Sequence, residues 1–495
     1  MDYEEGRKRL EDERAWVQQG NPKLLERHGA RGRHHVSERI RLLVDEGSWF
    51  EYGEFARSLE PGFKERSPRD GVMTGLGRIN GQAVAIIGDD ITVLGGTQSF
   101  VSVRKVDRII DIATKNGFPI ISLSEGGGVR VPDGIGAGFT RLCGLHQVKS
   151  LSWLANPQRR PLFICGVFGY TYGDPAFRAG MADVTVMVED SSVAVSGPSV
   201  IEAAISEEIG DSELGGPQLH QVLTGTVDAV AKTEEKAISL IRRVFHIMRP
   251  SEPAKDPTNR LVPDLEAIVP HNNRRVYDMK KVIERLCDGG EWLELKSRYG
   301  TGLLVGLARI GGRLIGVLAS QPLSAGGSVD AKGLRKSAAF MEFAIRRRIP
   351  LLVIHDIPGF LIGSAVEKDG MVNAIANHAR VLDSVDVPMV SLVIRKAYGA
   401  AYYFLGMGAS GAGFVAAWPN AEISFMAPHI GAAVLCKHVD AVNKKEAIKL
   451  KTAELERSAS IWDSAHEFWL DAVIAPSETR KVICEAFDYL VAKKS

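Results

Sequence analysis

Short apolar runs that open on an X-Pro step recur along the chain: "FPIISLS" (118–124), "PLFICGVF" (161–168), "IPLLVIHDI" (349–357) and "PMVSLVI" (388–394). Such unbroken runs predict strands of a sheet covered by helices. Two longer mixed stretches precede them and predict helices, "VSVRKVDRIIDIATKNG" (101–117) and "LRKSAAFMEFAIRRR" (334–348). Earlier still, "TGLGRINGQAVAII" (74–87) and "VGLARIGGRLIGVL" (305–318) read as β-rich segments around a glycine turn.

These elements are copies of one another. Gly75 falls on Gly306, an offset of 231 that also carries Gly95-Gly96 onto Gly326-Gly327, Arg104-Lys105 onto Arg335-Lys336 and "FPIISLSEGGG" onto "IPLLVIHDIPG". One register kept over so many landmarks predicts two tandem α/β units from an internal duplication. The expected organisation is a first domain over 1–250 with a charged helical arm at 1–45, a Pro-rich connector over 251–275 and a second domain over 276–495.

One segment tests this reading. "RKAYGAAYYFLGMGASGAGFVAAWPNAE" (395–422) holds no ionisable side chain except tyrosine between Lys396 and Glu422, and roughly 20 apolar residues suffice to cross a bilayer. Its glycines and its Trp418-Pro419 end argue instead for a buried soluble element, a strand running into a small-residue turn and a helix.

Composition narrows the function. Lys and Arg number 61 and Asp and Glu 60, a net charge of +1 that gives no basis for binding nucleic acid or an anionic membrane. Cys143, Cys165, Cys287, Cys436 and Cys484 show no CxxC spacing, and the N-terminus is charged from its second residue. A disulfide framework, a structural metal site and a secretory signal are therefore not expected, and the chain reads as cytoplasmic.

Two glycine-rich strand ends are the candidate chemistry, Glu125 to Arg130 and Asp356 to Phe360. Glycine lets backbone N–H groups approach a ligand, and such donors stabilise an enolate or oxyanion. About forty residues after each comes a strand-to-helix turn, "FGYTYGDPA" (168–176) and "RKAYGAAYY" (395–403), matched at an offset of 227. Two turns per unit can thus converge donors on one carbonyl oxygen. No GxSxG elbow, HExxH, GxxxxGK[ST] or metal-ligand cluster occurs, so catalysis is expected to rest on backbone donors without a metal.

At these residues the chain resembles the biotin-dependent acyl-CoA carboxyltransferases, the β subunits of propionyl-CoA and acetyl-CoA carboxylases and their decarboxylase relatives. The likeness runs from "HGARGRHHVSERIRLLVDEGSWFEYG" (28–53) through "DGVMTGLGRING" (70–81), "GGGVR" (126–130), "SQPLSAGGSVD" (320–330) and "DIPGFLIG" (356–363) to "RKAYGAAY" (395–402) and "AWPNAEISFM" (417–426). It implies two crotonase-like domains, an acyl-CoA side in the first and a biotin side in the second, and a hexamer built as a ring of dimers. It implies an active site between the N-terminal domain of one subunit and the C-terminal domain of its dimer partner. It also implies carboxybiotin on a separate carrier chain, a biotin carboxylase partner, a coenzyme A thioester as substrate, and enolates held by backbone N–H groups.

Carried over by position, the resemblance places donors at Gly127, Gly128, Gly359 and Phe360, and at Ala400 and Ala401, where the family has Gly-Ala. It makes Tyr403 the residue that tunes acyl size and assigns Arg130 and Tyr172 to acyl-CoA binding. In the first unit the family's Ala-Gly-Gly turn is replaced by Thr171-Tyr172-Gly173-Asp174, so the donor pair there is Gly173 with Asp174 or with Tyr172. The same departure leaves the acyl group and the direction of reaction open. A decarboxylase of malonyl- or methylmalonyl-type thioesters, with or without biotin, is the alternative, and a non-catalytic assembly subunit is a third.

Overall fold

The computed structural model describes residues 2–142, 160–249, 252–407 and 410–491; Cys143 falls outside them. The chain divides into two compact units, Met1–His246 and Ile247–Ser495.

In the first unit the strands are β1 (Phe50–Tyr52), β2 (Val72–Ile79), β3 (Gln82–Asp89), β4 (Ile120–Gly126), β5 (Phe163–Tyr172), β6 (Val184–Val188), β7 (Ser192–Ala194) and β8 (Ala229–Ala231). They form one sheet in the order β1-β2-β3-β4-β5-β6-β8, with β7 paired to the end of β5. The β2–β3 hairpin is antiparallel, and from β3 onward every pairing is parallel, as crossover helices require.

The second unit repeats the plan. Strands β9 (Trp292–Leu295), β10 (Leu303–Ile310), β11 (Arg313–Ser320), β12 (Leu351–Ile357), β13 (Met389–Tyr398), β14 (Phe414–Ala417), β15 (Glu422–Ser424) and β16 (Ala472–Val473) follow the order β9-β10-β11-β12-β13-β14-β16, with β15 on β13.

Register makes the duplication quantitative. Ala85 pairs with Ile120 as Gly316 pairs with Leu351, both at the offset of 231. Ile120 pairs with Phe163 as Leu351 pairs with Met389, so beyond β4 the offset becomes 226. The connection from β4 to β5 is five residues longer than its counterpart, and the expected offset of 227 is corrected by one residue. Tyr172-Gly173 therefore lies on Tyr398-Gly399.

Between β3 and β4 runs the helix Phe100–Asn116. It starts at Ser99, whose hydroxyl accepts from Val101 N, and ends at Gly117 with φ 68°. It buries Val106, Ile109, Ile110 and Ala113 against Ile87 and Phe163 of the sheet. Its counterpart, Ala331–Arg347, is capped by Asp330 and buries Leu334, Ala338, Met341 and Ala344. Each of the Val, Leu, Ile and Met side chains among them contributes about 1.5–3 kcal/mol when taken from water.

Residues 395–422 do not form one span: they comprise the end of β13, the short helix Gly399–Phe404 and β14. Among the described residues no helix is long and apolar enough to cross a membrane. The Pro-rich stretch also packs, since Val262, Leu265 and Val269 enter the core of the second unit.

Candidate active site

In the first unit the two turns meet through their glycines. Gly173 has φ 65°, and a Cβ on it would lie 2.8 Å from the Cα of Gly128; one on Gly128 would lie 3.2 Å from the Cα of Gly173. Only two residues without side chains fit there.

Backbone hydrogen bonds then decide which donors are free. The N–H of Gly127 is spent on Gly95 O at 3.0 Å and that of Gly173 on Val195 O at 3.1 Å. The N–H groups of Gly128 and Asp174 form no such bond. Asp174 opens the helix Asp174–Met181 and is followed by Pro175, which has no N–H. Gly127, expected as a donor, is therefore an anchor of the loop. Pro358 occupies its position in the second unit and cannot donate at all.

The second unit brings its turns together differently. Gly359, at φ 128°, accepts from Val329 N through its carbonyl at 3.2 Å, and Leu361 N returns to Val329 O at 2.8 Å. This repeats the pattern of Gly128 O, Gln98 and Arg130 N in the first unit. The Phe360 ring packs on Phe404 at 6.2 Å between centroids, which ties this loop to the helix Gly399–Phe404. Ala400 and Ala401 stand in the first turn of that helix, where N–H groups have no partner within the helix. Ala400 is exposed and Ala401 buried. Tyr403, 48% exposed, sits edge-on to Phe404 at 5.2 Å.

A buried carboxylate braces each glycine loop, a feature sequence reasoning did not single out. Glu125 in the first unit lies at the same register as Asp356 in the second. Asp356 is fully buried, paired with Arg395 at 2.9 Å and Lys396 at 3.3 Å, and its N–H donates to Ser320 Oγ at 2.8 Å. Burial pushes the Lys396 ammonium below its ordinary range, opposed by the Asp356 charge. Glu125 is held instead by Arg39, buried on the helix Val36–Leu43, at 2.5 Å; Arg39 also grips Glu234 through two bonds of 2.8 Å and stacks over Phe168 at 4.8 Å. Gly169 stands where Arg395 does, and a Cβ there would press to 2.2 Å on Glu125 Oε1. The shared offset of Glu125 and Asp356 was the signal available for this pair.

Two expected acyl-CoA contacts are committed elsewhere. Arg130 is buried, with its guanidinium on Asp70 Oδ1 at 3.0 Å and on the Thr97 carbonyl at 2.9 Å, so it fastens the loop from behind. The Tyr172 hydroxyl donates to Asp211, and burial together with that carboxylate raises its pKa. The corresponding Tyr398 donates to Glu422. Among the described residues no group of His, Cys, Asp and Glu is placed to hold a metal ion.

Comparison with known proteins places this architecture. A family model described as the carboxyl transferase domain matches residues 27–495. The chain is 33% identical over 494 residues to a propionyl-CoA carboxylase beta chain of Roseobacter denitrificans, covering 97% of this chain and 95% of the relative. It is 31% identical to the human mitochondrial propionyl-CoA carboxylase beta chain, over 96% of this chain and 88% of the relative. Among solved structures it is similar to transcarboxylase 12S, a hexamer solved with methylmalonyl-coenzyme A and methylmalonic acid bound, with a TM-score of 0.90, 27% identity and coverage of 100% and 99%. A single-chain long-chain acyl-CoA carboxylase matches 97% of this chain with 48% of its own length, at 26% identity and a TM-score of 0.86. With a family model matched over nearly its whole length and relatives of this identity, the chain belongs to the carboxyl transferase family of enzymes, with the crotonase-like fold in two tandem copies.

Proposed function

We propose that this chain is the carboxyltransferase subunit of a biotin-dependent acyl-CoA carboxylase, acting on a short-chain acyl-CoA. The observation that carries the reading is the pair of converging turns, present once in each unit, with unspent backbone N–H groups at Gly128 and Asp174 in one and at Ala400 and Ala401 in the other. Two carbonyl oxygens need such donors in carboxyl transfer, that of the thioester and that of the biotin urea, because both gain charge as enolates form.

Carboxybiotin, brought on a separate carrier chain, would supply the CO2 and the base for the α-proton. This chain's residues do the rest by position. Gly128 and Asp174 donate to the thioester oxygen and hold the α-carbon for attack on CO2, while Gly359, Phe360, Ala400 and Ala401 serve the urea oxygen. Pre-aimed donors of this kind are worth about 10²–10³ in rate each. Tyr403, beside Phe404, limits the acyl group. The relatives support a hexameric assembly, and four free, buried cysteines among the described residues suit a reducing cytoplasm.

The test is the reverse reaction: purified protein with malonyl-CoA and, separately, methylmalonyl-CoA, with and without free biotin, followed by mass. Product that depends on biotin supports the carboxyltransferase and names its acyl group. Product formed equally without biotin moves the chain to the decarboxylases.

A further inference from the structure

Gln98 touches both donor turns of the first unit. Its N–H donates to Gly128 O at 2.9 Å, its carbonyl accepts from Arg130 N at 2.7 Å, and its side-chain Nε2 donates to Asp174 Oδ2 at 2.9 Å. The side chain is buried, at 6% exposure, so the amide is held in one orientation. In the second unit Val329 makes the same two backbone bonds, to Gly359 and Leu361, and Ala400 stands where Asp174 does. The amide and the carboxylate occur together in one unit and are absent together from the other.

Asp174 poses an electrostatic difficulty. Its N–H is aimed at an oxygen that becomes negative, while its own carboxylate repels that charge. Two groups answer it. Gln98 Nε2 is one, and Arg178, one helical turn on, is the other. Arg178 is fixed by both oxygens of Asp89 at 2.8 and 2.7 Å and by Ser122 Oγ at 3.0 Å. Its buried Nε has no hydrogen-bond partner and lies 3.6 Å from Asp174 Oδ2.

We propose that Gln98 is a positioning residue of the first donor pair: it ties the Asp174 carboxylate back toward Arg178 and clamps the two turns so that the N–H groups of Gly128 and Asp174 converge. This rests on the carboxyltransferase reading above. The hydrogen bond of Gln98 to Asp174 takes the place of the Phe360–Phe404 ring contact that joins the turns of the second unit.

The experiment compares the full-length parent, Gln98→Val and the double variant Gln98→Val/Asp174→Ala in biotin-dependent decarboxylation of whichever acyl-CoA the parent accepts. Gln98→Val should lower kcat about 10²-fold, the scale of a misplaced catalytic geometry, with KM changed less than about threefold. The double variant, which recreates the Val and Ala of the second unit, should regain about tenfold by removing the untethered charge. A merely structural loss would not be regained by a second truncation. Parent-level kcat in Gln98→Val, or no recovery in the double variant, overturns the clamp while the parent's biotin dependence keeps the functional reading. A parent without biotin-dependent turnover overturns that reading and the clamp with it.

Discussion

A Cβ built on Gly173 would stand 2.8 Å from the Cα of Gly128, so the two turns of the first unit touch backbone to backbone. Gly173→Ala must therefore part the turns and also hold φ 65° with ψ −132°, a sparsely populated backbone region that costs about 1–3 kcal/mol. The expected outcome is a protein that still assembles but whose kcat in biotin-dependent turnover falls by about 10²-fold. Parent-level kcat in this variant would remove the convergence from the mechanism.

The second unit offers a sharper test of donor identity. Ala401 lies at the register of Pro175, so Ala401→Pro installs a residue that the same turn already accommodates in the first unit. The substitution deletes one N–H, and loss of an oxyanion donor costs about 10²–10³ in kcat. Assembly measured by light scattering should be unchanged. Full activity would leave Ala400 as the working donor of that turn, as Asp174 is in the first.

Tyr403 is 48% exposed and packs edge-on against Phe404, so trimming it opens space without leaving a buried cavity. Tyr403→Ala should move kcat/KM toward longer or branched acyl groups by about tenfold, the scale of one methylene in a pocket. Competition between propionyl-CoA and a longer acyl-CoA reads this ratio directly. An unmoved ratio takes Tyr403 out of the pocket.

Arg39 pairs with two buried carboxylates at once, Glu125 behind the glycine loop and Glu234. Arg39→Met removes the guanidinium they share and leaves Arg33 at 3.6 Å from Glu234 and His28 at 3.8 Å from Glu125, and breaking a buried pair costs about 3–5 kcal/mol. The unfolding midpoint in urea should drop accordingly, and Arg39→Lys should recover little because an ammonium cannot span both carboxylates as the guanidinium fork does. A midpoint equal to the parent's in Arg39→Met would show that the carboxylates protonate or find other donors.

How much of this was legible in sequence follows from which forces are local. The apolar runs and glycine turns answer to backbone sterics and burial, so the duplicated sheet could be read from landmarks such as Gly75 and Gly306. The match of 395–403 onto 168–176 slipped by one residue because Asp174-Pro175 shares no chemistry with Ala400-Ala401; the Tyr-Gly pair common to both turns carried the true register. Which N–H is free could not be read at all. Gly127 loses its donor to Gly95, Arg130 is drawn inward by Asp70, and Gln98 finds Asp174 across 76 residues, all of them contacts that exist only once the sheet is assembled.

His378 gives a pH dependence with a definite sign. It is fully buried in the second unit, its Nε2 is bonded to Ser337 Oγ at 2.9 Å, and its Nδ1 has no partner. Burial pushes its pKa from 6.5 down to about 4, because the cation would lose its hydration and the second N–H, on Nδ1, would have no acceptor. Between those values the unfolded chain binds the proton and the folded chain does not, so stability falls as pH drops from 6.5 and levels off below 4. A shift of this size corresponds to on the order of 3 kcal/mol. His378→Gln keeps a polar group near Ser337 but cannot titrate. Urea unfolding of both proteins at about pH 7, 5.5 and 4 should show the parent losing that much stability relative to the variant across the range, whatever the carboxylates contribute to both. A difference between them that stays constant with pH would mean that His378 titrates alike in the folded and unfolded chains, and that water reaches Nδ1.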